Sequence, residues 1–274
     1  MCASLTIQGN CSAWNGKNWI AGGSGGNTCA ISYDGINWTG TTNGLVSGTQ
    51  ILTTTVNGLA WNGANWTAVG KGATNNIANS YDGINWTTST NTGIFANYGN
   101  NILWNGTLWI AVGNGGNSNS YSTDGLNWTG GALTTLSVYG QGIGWNGTTI
   151  VIDGSGSNNV AYSVNGINWI PIIGKPVFSI SASSVAWNGI KWLAGGNGTA
   201  NTLAQSLDGI TWSNNNNNGK IVFSQNVNAI AYNSKRPHTI TFPQNLTVAV
   251  GSGTNSIAYS QDNGITWLGT TGKT

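Results

Sequence analysis

Ser80-Tyr81-Asp82-Gly83-Ile84-Asn85-Trp86-Thr87 returns in five close copies: Ser32 to Thr39, Ser122 to Thr129, Ser163 to Ile170, Ser206 to Ser213 and, one residue longer, Ser260 to Leu268. Asp-Gly inside such a stretch reads as a turn, because Asp binds its own backbone and Gly accepts positive φ. The flanking β-branched and aromatic residues read as strands. Six copies at a nearly fixed interval mark a repeat protein.

A second marker runs in phase with the first: Trp14-Asn15-Gly16, Trp61-Asn62-Gly63, Trp104-Asn105-Gly106, Trp145-Asn146-Gly147, Trp187-Asn188-Gly189 and the weaker Tyr232-Asn233-Ser234. Successive spacings are 47, 43, 41, 42 and 45 residues, the length of one four-stranded blade. Large and small residues alternate before each marker, as in Leu59-Ala60, Ile102-Leu103 and Val185-Ala186, so each marker ends a strand. Asn-Gly predicts a type I′ hairpin turn, with positive φ at both residues. A second strand follows (Trp66 to Val69, Ile150 to Asp153 and equivalents), then a Gly-rich loop, a third strand ending at the motif Ser, and a fourth beginning at its Trp. The fold class this predicts is all-β, a six-bladed β-propeller of four-stranded antiparallel blades. One domain covers 1–274, with blades at about 1–44, 45–91, 92–132, 133–174, 175–218 and 219–274.

Ser260-Gln261-Asp262-Asn263-Gly264-Ile265-Thr266-Trp267 matches the Asp-box pattern Ser-x-Asp-x-Gly-x-Thr-Trp at every position, and the other five copies resemble a version shortened by one residue. The chain thus resembles the bacterial neuraminidase repeat. That resemblance implies a propeller like those of sialidases, sortilin-type receptors and surface or tail proteins of viruses and phages, with the box as a structural hairpin remote from any catalytic centre. Sialidase chemistry needs three arginines, a Tyr–Glu pair and an Asp. This chain has one Arg, Arg236, and no Glu. Five of its six carboxylates, Asp34, Asp82, Asp124, Asp208 and Asp262, are the box residue itself. Asn165 replaces the sixth box Asp, keeping a hydrogen-bond acceptor and dropping the charge, which excludes metal binding or proton transfer as the common role of the position.

Composition narrows the partners. Only 5% of residues are charged and the net charge is +2, too little to neutralise a phosphate backbone, so nucleic acid is not an expected partner. Neutral hydrogen-bonding ligands such as glycans fit better, as does self-association under weak mutual repulsion. No apolar run approaches the roughly 18 residues of a membrane helix. Met1 to Leu5 lacks the pattern of a secretory signal. Cys2, Cys11 and Cys29 have neither a disulfide nor a zinc spacing and read as free thiols. No metal, cofactor or catalytic residue is expected.

Turns joining first to second and third to fourth strands share one face and are uniform. The remaining loops share the other face, vary in length, and are the expected binding face. Six residues before each marker stand Gln8, Thr55, Tyr98, Tyr139, Ser181 and Asn226, polar or Tyr and mutually different, placed by equal offset at the mouth of a central channel. Asp153 is the sole carboxylate outside the box, expected to cap the turn at Gly154-Ser155-Gly156 or to bind a hydroxyl or cation. Lys235, Arg236 and His238 form the one basic cluster, in an expanded loop from Ser234 to Asn245, and are a docking point for an anionic partner. The tryptophans all fall at repeat positions and read as core, each contributing up to about 5 kcal/mol by burial. The resulting expectation is a non-enzymatic recognition or adhesion domain of a virion, phage or cell surface, binding a glycan or protein receptor. The alternatives are a structural subunit of a self-assembling particle or fibre and, more remotely, a glycan-active enzyme.

Overall fold

The computed structural model describes residues 8–41, 52–73, 75–90, 94–131, 136, 138–173, 177–199, 201–214, 222–232 and 246–270. The variable linker after Thr41, most of the Asn214 to Asn218 run, and Cys2, Lys235, Arg236 and His238 lie outside these residues. The chain divides into two compact units, Met1–Leu133 and Thr134–Thr274.

Each unit holds three repeats of four strands. In the first unit these are β1 (Gln8–Trp14), β2 (Trp19–Ser24), β3 (Cys29–Ser32) and β4 (Thr39–Thr41), then β5 (Thr55–Trp61), β6 (Trp66–Lys71), β7 (Ile77–Ser80) and β8 (Thr87–Thr88), then β9 (Phe95–Trp104), β10 (Trp109–Gly116), β11 (Asn119–Ser122) and β12 (Thr129–Gly131). In the second they are β13 (Tyr139–Trp145), β14 (Ile150–Ser155), β15 (Val160–Ser163) and β16 (Ile170–Pro171), then β17 (Ser181–Trp187), β18 (Trp192–Asn197), β19 (Leu203–Ser206) and β20 (Trp212–Asn214), then β21 (Asn226–Tyr232), β22 (Thr247–Ser252), β23 (Ile257–Ser260) and β24 (Leu268–Gly269). Within a repeat each strand pairs antiparallel with the next, as β1 with β2, β2 with β3 and β3 with β4. Single bridges, Ser24 to Thr55 and Asn197 to Asn226, join the first two repeats of the first unit and the last two of the second into eight-stranded sheets.

The core lies between repeats. Ile20 and Ile31 of the first repeat cluster with Val56, Leu59, Trp66 and Trp86 of the second, and Leu193 and Leu203 of the fifth with Phe223, Val227 and Trp267 of the sixth. Contacts at these joints alternate small and large. A Cβ on Gly22 would lie 2.4 Å from Val56 Cγ1, one on Gly99 2.7 Å from Val69 Cβ, and one on Gly195 2.4 Å from Val227 Cγ1. Each of these three joints therefore seats one Val against one Gly, in either order, as close packing requires. Side chains before the third strand tie the same joints: Thr28 Oγ1 donates to Leu52 O at 2.7 Å, Thr202 Oγ1 to Phe223 O at 3.0 Å, and the amides of Asn76 and Asn159 to Phe95 O and Phe178 O.

The box hairpin forms as the sequence predicts. Asp82 Oδ1 accepts the N–H groups of Ile84 and Asn85 at 2.8 and 2.7 Å, and Ser80 Oγ accepts Gly83 N–H at 2.8 Å. Asn165 Oδ1 accepts the same two N–H groups, from Ile167 and Asn168, at 3.0 and 2.9 Å. The box also reaches the preceding repeat: a Cβ on Gly83 would lie 2.6 Å from Ile20 Cδ1, and one on Gly264 2.4 Å from Leu193 Cδ2.

The Asn-Gly hairpins differ from expectation. Positive φ is confined to the glycines, from 89° at Gly189 to 102° at Gly147, and the preceding asparagines do not share it. Because Trp14 pairs with Trp19, the connection is a four-residue loop rather than a two-residue type I′ turn. Asn15 Oδ1 accepts the N–H groups of Lys17 and Asn18 at 2.9 and 2.8 Å. The amide side chain closes the loop by hydrogen bonding, so the Asn backbone need not enter the left-handed region. Paired indoles flank these loops, with ring centroids 5.0 Å apart at Trp61 and Trp66. Burial of the tryptophans is uneven. Trp66, Trp109 and Trp192 are fully buried, whereas Trp14, Trp19 and Trp145 keep more than a third of their surface exposed.

Candidate functional site

The first strand of every repeat carries a β-bulge. The register slips between Gly9 and Cys11, Val56 and Gly58, Ala182 and Ser184, and Val227 and Ala229, and at the equivalent places in β9 and β13. The residues it sets out of register are Asn10, Asn57, Asn100, Ser183, Asn228 and, beside Gly142, Gln141. A bulge re-aims the side chain it carries, and here that side chain is polar each time. In the first unit the amides bond from repeat to repeat. Asn10 Nδ2 donates to Thr55 Oγ1 at 2.8 Å and to Asn57 Oδ1 at 3.2 Å, and Asn57 Nδ2 donates to Gly99 O at 2.9 Å. These six residues escaped the sequence reading. Their signal was a polar residue four positions before every marker, two positions beyond the set that was chosen.

The six residues expected at a channel mouth share one register position within their repeats. Gln8, Thr55, Tyr98, Tyr139, Ser181 and Asn226 pair with Ser24, Lys71, Asn114, Ser155, Asn197 and Ser252, equivalent positions of the second strand. Gln8 is exposed and the other five are half-buried. Thr55 belongs to the amide seam through Asn10 and Asn57. Asn226 donates to Asn228 Oδ1 and accepts from Ser252 Oγ.

Asp153 is not a turn cap. The second strand continues through Gly154, which pairs with Gly140, to Ser155, so Asp153 lies inside β14 opposite the bulge. It is fully buried; Oδ1 accepts the Gly142 N–H at 2.7 Å, and Oδ2 is buried with no partner among the described residues. A Cβ at Gly142 would lie 2.7 Å from Oδ2, so only glycine leaves room for the carboxyl. Burial raises its pKa to about 7 against the opposing effect of the Gly142 N–H. The carboxyl is shut off from bulk solvent.

The other carboxylates are held by their own turns. The Asn37 N–H, the Asn37 side-chain amide and the Ile36 N–H hold the Asp34 pKa well below its ordinary value. At Asp124 partial burial opposes the same kind of bonds, from Asn127 and Leu126, and the pKa still falls to about 2. Cys11 and Cys29 are free thiols, and burial raises both pKa values, that of Cys11 to about 12. Among the described residues no group of three His, Cys, Asp or Glu side chains is placed to hold a metal ion.

Neither a family model nor a curated protein matches the chain. Solved structures do. A GH74 enzyme from Niastella koreensis aligns with 95% of this chain at 17% identity and a TM-score of 0.61, and a GH74 xyloglucanase from Xanthomonas campestris with 92% at 12% and 0.57. YCF48 bound to a D1 peptide aligns with 99% at 14% identity and a TM-score of 0.62. The alignment takes in 37% and 38% of the two GH74 chains and 83% of the YCF48 chain. Likeness at these identities concerns the fold, and it supports a β-propeller.

Proposed function

We propose that the chain is a non-enzymatic recognition domain: a single six-bladed propeller over 1–274, related to Asp-box repeats, that binds a glycan or protein receptor at a virion, phage or other surface. The observation that carries this reading is the occupation of the carboxylates. Five are held by the backbone of their own hairpins, and Asp153 is sealed beneath Gly142. General acid–base chemistry needs a group within reach of its substrate, and these are committed elsewhere. The first strands of the repeats instead offer uncharged amides, hydroxyls and two tyrosines: Gln8, Thr55, Tyr98, Tyr139, Ser181 and Asn226 at one register position, with the bulge residues beside them. Among the structural neighbours, YCF48 is one solved with a peptide bound, which is consistent with receptor binding by this kind of scaffold. Lys235, Arg236 and His238 would add an anion-docking point.

The test is binding of immobilised candidate glycans and surface proteins by the wild type and by Tyr98→Ala and Tyr139→Ala. Loss of binding in either variant, with unchanged melting temperature, supports the reading; turnover of a glycan by the purified chain refutes it. Class averages from electron microscopy check the number of blades.

One observation favours a second reading, a self-assembling structural subunit. The box turns expose apolar side chains at repeated positions, including Tyr33, Ile36, Tyr81, Val164 and Leu207, each more than 60% exposed. A weakly charged surface bearing such a band is prone to associate. Sedimentation of the purified chain at increasing concentration separates the two readings.

A further inference from the structure

A cleft of about 580 Å³ lies in the second unit beside β20, the outer strand of the fifth repeat. Ile172 and Ile173, from the end of the fourth repeat, line it together with Val177, Thr211, Trp212 and Asn214 of the fifth. Trp212 is the box Trp of its repeat. Trp86, Trp128 and Trp267 are 2–3% exposed, whereas Trp212, like Trp38 and Trp169, is only half-buried. Its Nε1 donates to Gly209 O at 3.1 Å, so what it can offer a ligand is its ring. Thr211 and Asn214 add exposed hydroxyl and amide groups on the same strand, and none of the described lining residues is charged.

A second cleft, of about 360 Å³, shares Thr211 and Ser213 with the first. It contains Lys191, whose Nζ donates to Gln205 Oε1 at 3.0 Å, and Asp208. The two sites sit side by side, one with an aromatic ring and neutral polar groups, the other with hydrogen-bonding groups of both signs.

We propose that these clefts bind a neutral oligosaccharide, one pyranose ring stacked on Trp212 and the next hydrogen-bonded by Lys191. A pyranose has an apolar C–H face that matches an indole, and hydroxyls at its edge that match Thr211 and Asn214. Among the described residues that line the larger cleft, a phosphorylated or carboxylated ligand would find no cation, and both volumes fall in the ordinary range for small-molecule sites. An aliphatic peptide side chain would use the isoleucines but leave the polar groups of Thr211 and Asn214 unpaired. This site is separate from the first-strand residues and does not depend on them.

The experiment starts from an array of neutral oligosaccharides and proceeds to calorimetry with the strongest binder. Ile173 is 79% exposed, so Ile173→Asp places a charge on the cleft wall without disturbing a core contact. We expect it to weaken binding at least about tenfold, a change of about 1.4 kcal/mol, and Asn214→Ala to weaken it several-fold. Lys17→Ala, in the first unit and lining neither cleft, should leave it unchanged. The proposal is overturned if no neutral oligosaccharide binds, if only an apolar peptide binds, or if Ile173→Asp and Asn214→Ala both bind like the wild type. Loss in Tyr98→Ala alone would move the glycan to the first strands of the repeats and equally overturn it.

Discussion

Asp153 Oδ1 accepts the backbone N–H of Gly142 at 2.7 Å, from β14 to the bulge in its partner β13. A carboxyl thus occupies a position held by Gly22, Val69, Val112, Gly195 or Val250 in the other repeats.

Stability should depend on this group in a definite direction. Its pKa rises from an ordinary 3.8 unfolded to about 7 folded, so the folded state binds the extra proton. Stability therefore falls as pH rises from about 4 to about 7, by up to roughly 1.4 kcal/mol per pH unit, and is flat above. Asp153→Asn keeps the acceptor and removes the charge. Its melting temperature relative to wild type should be higher at pH 8 than at pH 4. An equal difference at both would show that Asp153 does not titrate on folding.

The box aspartates predict the opposite slope at lower pH. Backbone N–H groups hold the pKa of Asp34, Asp82, Asp124, Asp208 and Asp262 below the ordinary 3.8 despite some burial. Their contribution is full above about pH 4 and is lost as pH falls through their folded values, near 2 for Asp124. Circular dichroism melts between pH 2 and 8 should give a maximum near pH 4, set on one side by these turns and on the other by Asp153.

Asp82→Asn should cost under about 1 kcal/mol and Asp82→Ala about 1–2 kcal/mol, because Asn retains an oxygen for the Ile84 and Asn85 N–H groups and Ala does not. The fourth repeat already carries the Asn version at Asn165. Urea unfolding ranks the three proteins, and equal losses in both variants would mean that the charge itself is needed.

Gly209→Ala should be more damaging than either. Gly209 has φ +79°, and a Cβ there would lie 2.9 Å from both Trp192 Nε1 and Val151 Cγ2. Left-handed backbone costs an L-residue roughly 1–2 kcal/mol, and displacing a packed neighbour about 1–3 kcal/mol more. Gly147→Ala, with φ +102° and no neighbour within 4 Å, carries only the first cost. The gap between their unfolding midpoints measures the second.

The bulge amides bear weight between repeats. Asn57→Asp keeps the acceptor used by Asn10 and Thr55 but loses the donor to Gly99 O. Asn57→Ala loses both. Each should destabilise the first unit, by about 1–2 kcal/mol for Asp and more for Ala. Hydrogen exchange of the amides in β5 and β9 locates the effect.

Much of this protein could be read before any coordinates. Tyr81 to Trp86 and its copies gave the hairpin, and the Trp-Asn-Gly markers gave the strand ends, because both follow from backbone bonds made within a few residues. Asn165 announced that the box charge is dispensable, and its hydrogen bonds agree. The errors came where the same local letters allowed two closures. Asn15-Gly16 can turn through a left-handed Asn or through an Asn side chain, and the pairing of Trp14 with Trp19 selects the second.

What the sequence determined by itself is the period, the strands and the occupied state of the box carboxylates, since these rest on alternation and short-range hydrogen bonds. Tertiary structure alone decided the rest. Whether Asp153 meets water or Gly142 depends on a bulge in a neighbouring strand, which shifts the register without changing composition. Whether Trp212 is core or cleft depends on how the end of the fourth repeat packs against it, and burial is a property of neighbours that the residue's own stretch does not encode.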